Sequence, residues 1–220
     1  MPTRVLLVDD DPLVRSGLRY LFDAADDLTV VGEAADGDEA ITAVQRHHPD
    51  VVLMDLRLPR VDGITATARV RALPNPPRVI ALTTWDVNDA VLRSLEAGAS
   101  GFLLKSADPK DILRAVRSVM AGDAVLSPRS TRQLLDHLRA DDAVGLRRSA
   151  ESALGALTDR EREVSTAVGL GLSNAEIAAR LFIAEATVKA HLSGIQAKLG
   201  VRNRVEIAVL AERAGLLRPT

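Results

Sequence analysis

Over the first 121 residues, short apolar runs alternate with segments of helical period, and this alternation restricts the fold more than any other property of the chain. Arg4–Val8, Thr29–Ala34, Val51–Met54, Arg78–Thr83 and Gly101–Leu104 read as buried strands, each followed by an amphipathic stretch. Strands separated by helices of roughly 10–15 residues make βαβ units, hence a parallel sheet with helices on both faces. Asp11-Pro12 and Asp108-Pro109 each place an N-cap acid before a proline at the first helical position, while Gly98 and Gly122 stand where helices should stop. Five such units define a doubly wound, five-stranded α/β fold, in which ligands gather at the carboxyl ends of the strands.

After Gly122 the pattern changes. Ser127-Pro128 could open one more helix through Leu138, and Arg139–Ala156 mixes Asp, Arg, Ser, Ala and Gly without a sustained apolar stripe, which reads as a linker. From Leu157 onward the signals are helical only. Thr158 with Glu161, and Ser173 with Glu176, fit the capping box, in which a hydroxyl and a carboxylate satisfy each other's backbone donors. The expected helices are Asp159–Val168, Asn174–Leu181, Glu185–Leu199 and Arg204–Ala214, a small all-α bundle near the lower size limit for independent folding. The domains are therefore drawn at 1–121, at a partly helical joining segment 122–155, and at 156–220.

Charge divides the same way. Residues 1–121 carry 14 basic against 18 acidic side chains, and residues 154–220 carry 9 against 7, within a net charge of -2. The acidic part suits a cation and the basic part suits phosphate. Zero Cys excludes disulfides and thiolate metal sites, and 2% aromatic content argues against stacking platforms for single-stranded nucleic acid. The N-terminus lacks a signal-peptide core and no stretch approaches the roughly 18 apolar residues of a membrane span, so the expectation is a cytoplasmic protein without a membrane partner.

The chemistry concentrates at the strand ends. Asp9, Asp10 and Asp11 follow the first strand and Asp55 the third; in a doubly wound order these strands are neighbours and their acids converge. Carboxylates so close together need a cation or raised pKa values, and an oxygen-only cluster suits Mg²⁺, which keeps several waters. Asp11 also serves as an N-cap. Thr83 ends the fourth strand and Lys105 the fifth, adding a hydroxyl and an ammonium to the same edge. Nucleophile, metal ligands, cation and hydroxyl together are what accepting a phosphoryl group requires.

These residues carry a resemblance. Val8-Asp9-Asp10, Leu53-Met54-Asp55 with Pro59 and Asp62-Gly63, Ala81-Leu82-Thr83 and Gly101-Phe102-Leu103-Leu104-Lys105 resemble the receiver domain of bacterial two-component response regulators, over about residues 3–121. The resemblance implies a flavodoxin-like receiver whose Asp55 takes a phosphoryl group from the phosphohistidine of a sensor histidine kinase. It also implies that Asp10, Asp55 and the backbone carbonyl of Arg57 coordinate Mg²⁺, that Asp9 acts through water, and that Lys105 pairs with Asp55 and then with the phosphoryl oxygens. The family pattern moves the Thr83 hydroxyl toward the phosphoryl group while Phe102 turns into the vacated space. Trp85, beside this switch, reads as exposed packing.

In the helical module, Val188, Leu192, Ile195 and Leu199 form one buried stripe, leaving Ala186, Lys189, Ala190, Ser193, Gln196 and Ala197 on the opposite face. Small and polar residues around a lysine suit a DNA major groove, with Lys198, Arg202 and Arg204 near the far end to grip phosphates. Leu157–Val164, Gly171–Ala178, Ala186–His191 and Lys198–Val201 resemble the LuxR-type helix-turn-helix of the NarL/FixJ class, over about residues 155–217. The resemblance implies a recognition helix at Glu185–Leu199 that reads an operator in double-stranded DNA, with Thr187 joining Lys189, Ala190 and Ser193 at the interface. It also implies dimerisation through the last helix, a homodimer favoured by phosphorylation, and RNA polymerase as a further candidate partner. Three positions depart from that pattern: Ala184 replaces a capping Ser, Gly194 an Arg, and Ser165 a Leu.

Two enzyme readings fail on residues. A haloacid-dehalogenase-like phosphotransferase needs a second acid two places after its nucleophile, where this chain has Arg57, and a nucleotide-binding fold needs glycines where Asp9-Asp10-Asp11-Pro12 stands. The expectation is therefore a regulator and not an enzyme. Its alternative is a receiver-controlled module that docks a protein instead of DNA.

Overall fold

In the computed structural model the described residues are 1–84, 88–126 and 144–217. Trp85 and the expected helix from Ser127 to Leu138 lie outside them. The chain forms two compact units; Ala121–Ala124 clusters with the C-terminal helices, and Val125–Leu126 with the N-terminal unit.

The first unit is the expected parallel sheet. Strands β1 (Thr3–Val8), β2 (Leu28–Ala34), β3 (Val51–Asp55), β4 (Arg78–Thr83) and β5 (Gly101–Leu104) alternate with helices α1 (Pro12–Asp23), α2 (Gly37–His47), α3 (Gly63–Arg71), α4 (Asn88–Glu96) and α5 (Pro109–Ala121). A two-residue strand, β6 (Val125–Leu126), adds an edge that periodicity did not indicate. The order is β2-β1-β3-β4-β5-β6 and every pairing is parallel. Gly101 lets β6 approach, because a Cβ there would lie 3.2 Å from the Val125 carbonyl oxygen.

Both faces of the sheet are covered, which is why its strands read as continuous apolar runs. Alternate residues divide between two cores: Val5, Leu7, Leu53 and Leu82 pack with Leu18 and Phe22 of α1 and Ile112 and Val116 of α5. Leu6, Val8, Val52 and Met54 pack with Val44 of α2 and Val70 of α3 on the other side. The caps form as the sequence indicates: the Leu13 amide donates to Asp11 Oδ1 at 2.8 Å and the Lys110 amide to Asp108 Oδ1 at 2.8 Å. Gly98 (φ 100) and Gly122 (φ 94) take the left-handed conformation that ends a helix.

The second unit contains α6 (Val144–Leu154), α7 (Asp159–Gly169), α8 (Asn174–Leu181), α9 (Glu185–Leu199) and α10 (Arg204–Arg213). Both capping boxes are present, and Val188, Leu192 and Ile195 are buried against Leu157, Val164, Ile177 and Ile207. Helix α6 corrects the linker reading of Arg139–Ala156. Among its described positions Ala150 and Leu154, one turn apart, are buried, and so small a signal is hard to read between Ser149, Glu151 and Ser152. None of the described helices is long and apolar enough to cross a membrane.

Candidate phosphoacceptor site and helix-turn-helix surface

Because β1 pairs with β3, with Val8 opposite Met54, the residues that follow them emerge side by side. Asp9 and Asp55 are buried at 1% and 4% exposure while Asp10 is open to solvent. One carboxylate oxygen from each of Asp9, Asp10 and Asp55 lies within 4.8 Å of the others. Lys105, one residue past β5, reaches into this cluster from the other side: its Nζ is 2.6 Å from Asp9 Oδ2 and 2.9 Å from Asp55 Oδ2.

The electrostatics follow from burial working against pairing. Burial pushes the Asp9 carboxyl above its ordinary range; hydrogen bonds from Lys105 and the Asp11 amide offset only part of that. For Lys105, burial acts to lower the pKa, but its bonds to Asp9 and Asp55 outweigh it, so the ammonium is held above its usual value. Three carboxylates around one ammonium leave a negative excess. The donor set fits a hard divalent cation: every donor is oxygen, and the exposed Asp10 side leaves space for waters.

The remaining receiver positions surround that cluster. Thr83 is buried at the end of β4, and the Lys105 amide donates to its carbonyl at 2.7 Å. Phe102 on β5 is fully buried opposite Ala81 on β4. Arg57 follows Asp55 by two residues, and its amide donates to Asp55 Oδ1 at 3.2 Å.

Four contacts here have no signal in the sequence, since each joins segments distant in sequence or uses a carbonyl. The Arg57 guanidinium donates to Thr84 Oγ1 at 2.6 Å, and Arg15 Nη1 to the Asp9 carbonyl at 2.6 Å. Asp36, buried at 1% exposure, accepts the Arg60 and Val61 amides at 2.9 and 3.0 Å.

In the second unit, α9 presents Thr187, Lys189, Ala190 and Ser193 to solvent, and Ser193 Oγ donates to the Lys189 carbonyl at 3.1 Å. The other three expected phosphate contacts differ among themselves. Arg202 is exposed, with its amide bonded to Glu206 Oε2 at 2.8 Å. Lys198 is ion-paired with Glu161 at 2.6 Å. Arg204 is turned inward, its side chain 10% exposed: Nη1 donates to Asp123 Oδ1 at 2.7 Å and to Asn174 Oδ1 at 2.8 Å, and Nη2 to the Leu172 carbonyl. Burial, the larger influence, lowers the Arg204 pKa against the raising effect of Asp123 and Glu176.

Comparison with known proteins places both halves. Residues 5–117 match the response regulator receiver domain family, and residues 155–211 match the luxR family of bacterial regulatory proteins. The nitrate/nitrite response regulator NarL of Escherichia coli is 36% identical over 208 residues, covering 94% of this chain and 94% of that protein. The DNA-binding transcriptional activator DevR/DosR of Mycobacterium tuberculosis is 37% identical, covering 98% and 97%. Among solved structures, a LuxR-family two-component response regulator from Aurantimonas sp. SI85-9A1 is 36% identical over 62% of this chain and 98% of that one, with a TM-score of 0.59.

Proposed function

Since the chain belongs to the two-component response regulators of the NarL/FixJ class, a receiver domain followed by a LuxR-type helix-turn-helix, we propose that Asp55 is its phosphoacceptor and that phosphorylation controls operator binding by α9. The chain is a DNA-binding transcriptional regulator. The observation that carries the residue assignment is the sharing of one ammonium, Lys105, by the carboxylates that end two neighbouring strands, at 2.6 and 2.9 Å.

In this reading a sensor histidine kinase supplies the phosphoryl group. An Asp55 carboxylate oxygen attacks phosphorus, the nitrogen–phosphorus bond of the phosphohistidine breaks, and an acyl phosphate forms. Mg²⁺, held by Asp10, Asp55 and the Arg57 carbonyl with Asp9 acting through water, would neutralise charge on the phosphoryl oxygens. Lys105 then moves its partnership from the Asp55 carboxylate to a phosphoryl oxygen. Thr83 supplies a hydroxyl to another, and Phe102 follows into the space that Thr83 leaves. The added charge, close to two units, is what drives the switch.

The domain reading is a receiver over 1–121, a joining segment over 122–155 and a DNA-binding domain over 156–220. Thr187, Lys189, Ala190 and Ser193 face the groove, while Arg202 serves the phosphates together with Lys198 and Arg204 once Glu161 and Asp123 release them. Phosphorylation favours a homodimer on a two-fold operator, RNA polymerase is the downstream partner, and the site of action is the cytoplasm.

Intact mass after exposure to a small-molecule phosphodonor, with and without Mg²⁺, tests the receiver assignment. The parent gains one phosphoryl group only with Mg²⁺ and Asp55→Asn gains none; equal labelling of the two removes Asp55 from the site.

A further inference from the structure

The cation reading places one ligand on a loop, and loops are the least rigid part of such a fold. The segment between β3 and α3 carries the Arg57 carbonyl, and it is clamped at both ends. At the end nearest the sheet, Gly63 packs so closely on β3 that a Cβ would lie 1.9 Å from the Asp55 carbonyl oxygen, and the Gly63 amide donates to the Leu56 carbonyl at 3.0 Å. At the far end, Asp36 takes two successive amides, Arg60 on Oδ2 and Val61 on Oδ1.

Asp36 is placed for this task by the turn that leads from β2 into α2. It stands at the N-cap of α2 but makes no capping bond to its own helix; its side chain is spent across 24 and 25 residues of sequence on the loop. Gly37 allows the approach, since a Cβ there would lie 2.2 Å from the Val61 carbonyl oxygen. The Arg60 side chain closes over the outside, with Nη2 at 2.7 Å from Glu39 and 3.0 Å from Asp38. Burial acts to raise the Asp36 carboxyl, and the Val61 and Arg60 donors overcome it and bring it down to about 2. It is therefore a full-charge acceptor at every pH at which a carboxylate site binds a cation.

We infer that Asp36 is a positioning residue for the divalent cation: by holding the Arg60 and Val61 amides it sets the position of the Arg57 carbonyl relative to Asp10 and Asp55. This rests on the cation site proposed above. Mg²⁺ demands near-ideal octahedral geometry at about 2.0–2.1 Å, so a loop free to shift by a fraction of an ångström presents a ligand at the wrong distance. Residues that orient ligands without touching the metal typically contribute 10–100-fold in affinity.

The test is calorimetric titration of the full chain with MgCl₂, for the parent, Asp10→Asn and Asp36→Asn, together with thermal unfolding of each without metal. Asp36→Asn keeps the shape but loses acceptor capacity for one of the two amides. The expected result is Mg²⁺ binding by the parent, its loss in Asp10→Asn, and about tenfold weaker binding in Asp36→Asn with the metal-free fold retained. Full parental affinity in Asp36→Asn beside loss in Asp10→Asn overturns the positioning role and leaves the cation site standing. Absence of Mg²⁺ binding in the parent overturns the cation site itself, and the positioning role with it.

Amide hydrogen exchange in the parent decides the matter if Asp36→Asn does not fold. Coupling between loop and cation is reciprocal, so Mg²⁺ must slow exchange at Arg60 and Val61. Exchange unaltered by Mg²⁺ at both amides overturns the inference.

Discussion

Glu161 serves two segments of the second unit at once. It accepts from the Thr158 amide at 2.8 Å and from Lys198 Nζ at 2.6 Å, and it is buried at 7% exposure. Lys198 first, then the Thr158 amide, bring its carboxyl down from 4.5 to about 2. A folded pKa below the unfolded one adds stability that is present above the unfolded value and is lost as pH falls through the folded one. The parent should therefore lose stability between about 4.5 and about 2, and Glu161→Gln should start lower at neutral pH and show a flatter decline over that window. Denaturant melts across the window check it; parallel declines in the two proteins would remove Glu161 as a source of the acid sensitivity.

Two glycines show how differently one residue type is used. At Gly63 the Asp55 carbonyl leaves no room, and Gly63→Ala is expected to cost about 3 kcal/mol through forced displacement of the loop, read as a lower melting temperature. At Gly194 the nearest obstacle to a Cβ is Glu161 Oε1 at 3.4 Å, an ordinary contact. There the missing methyl only weakens the helix, and Gly194→Ala should stabilise the second unit by about 1 kcal/mol. An unchanged or lower melting temperature would show that the glycine has a packing role the contacts do not reveal.

Among the elements, α9 combines a well-seated inner face with a weak beginning. Its N-cap, Ala184, has the extended backbone of a cap (φ -74, ψ 149) but no side-chain acceptor, whereas α7 and α8 both begin with full capping boxes. The backbone is thus already in place for a hydroxyl, and Ala184→Ser should add about 1 kcal/mol. An unaltered melting temperature would refute that reading of the cap. Helix α10 begins on a better footing, because Asn203 Oδ1 accepts the Glu206 amide at 2.9 Å.

For the molecule as a whole, charge is separated between the two halves of the chain. The acidic excess lies with the receiver half and its Asp9, Asp10 and Asp55 cluster, and the basic excess lies with the helix-turn-helix half. Within the second unit, however, Lys198 is occupied by Glu161 and Arg204 by Asp123, whereas Lys189, exposed on α9, has no carboxylate partner among the described residues. Lys189→Ala is accordingly expected to weaken operator binding by about tenfold, and gel-shift titrations over a range of salt should show a shallower slope in the variant if the ammonium meets a phosphate. Equal affinity for operator and unrelated DNA in the parent would instead favour protein docking by this module.

The readable features were those whose physics is local. Hydrophobic period reports burial on both faces of a strand, so β1 to β5 could be placed from residues alone, and a capping box is completed within four residues, so Thr158 and Ser173 announced α7 and α8. Asp9, Asp55, Thr83 and Lys105 were legible because each stands at a strand end, where chain direction in a parallel sheet leaves little freedom. Tertiary structure alone decided the rest. Strand order brought Lys105 within 2.6 Å of Asp9 although the two stand 96 positions apart in the chain, approximately the whole length of the unit. Close backbone approach at Gly37 gave Asp36 its loop partners, and α6 buries Leu154 in the core that the other helices of its unit supply. Arg204 turned inward for the same reason: a guanidinium takes the carboxylate that packing delivers to it, and no local pattern reveals which carboxylate that will be.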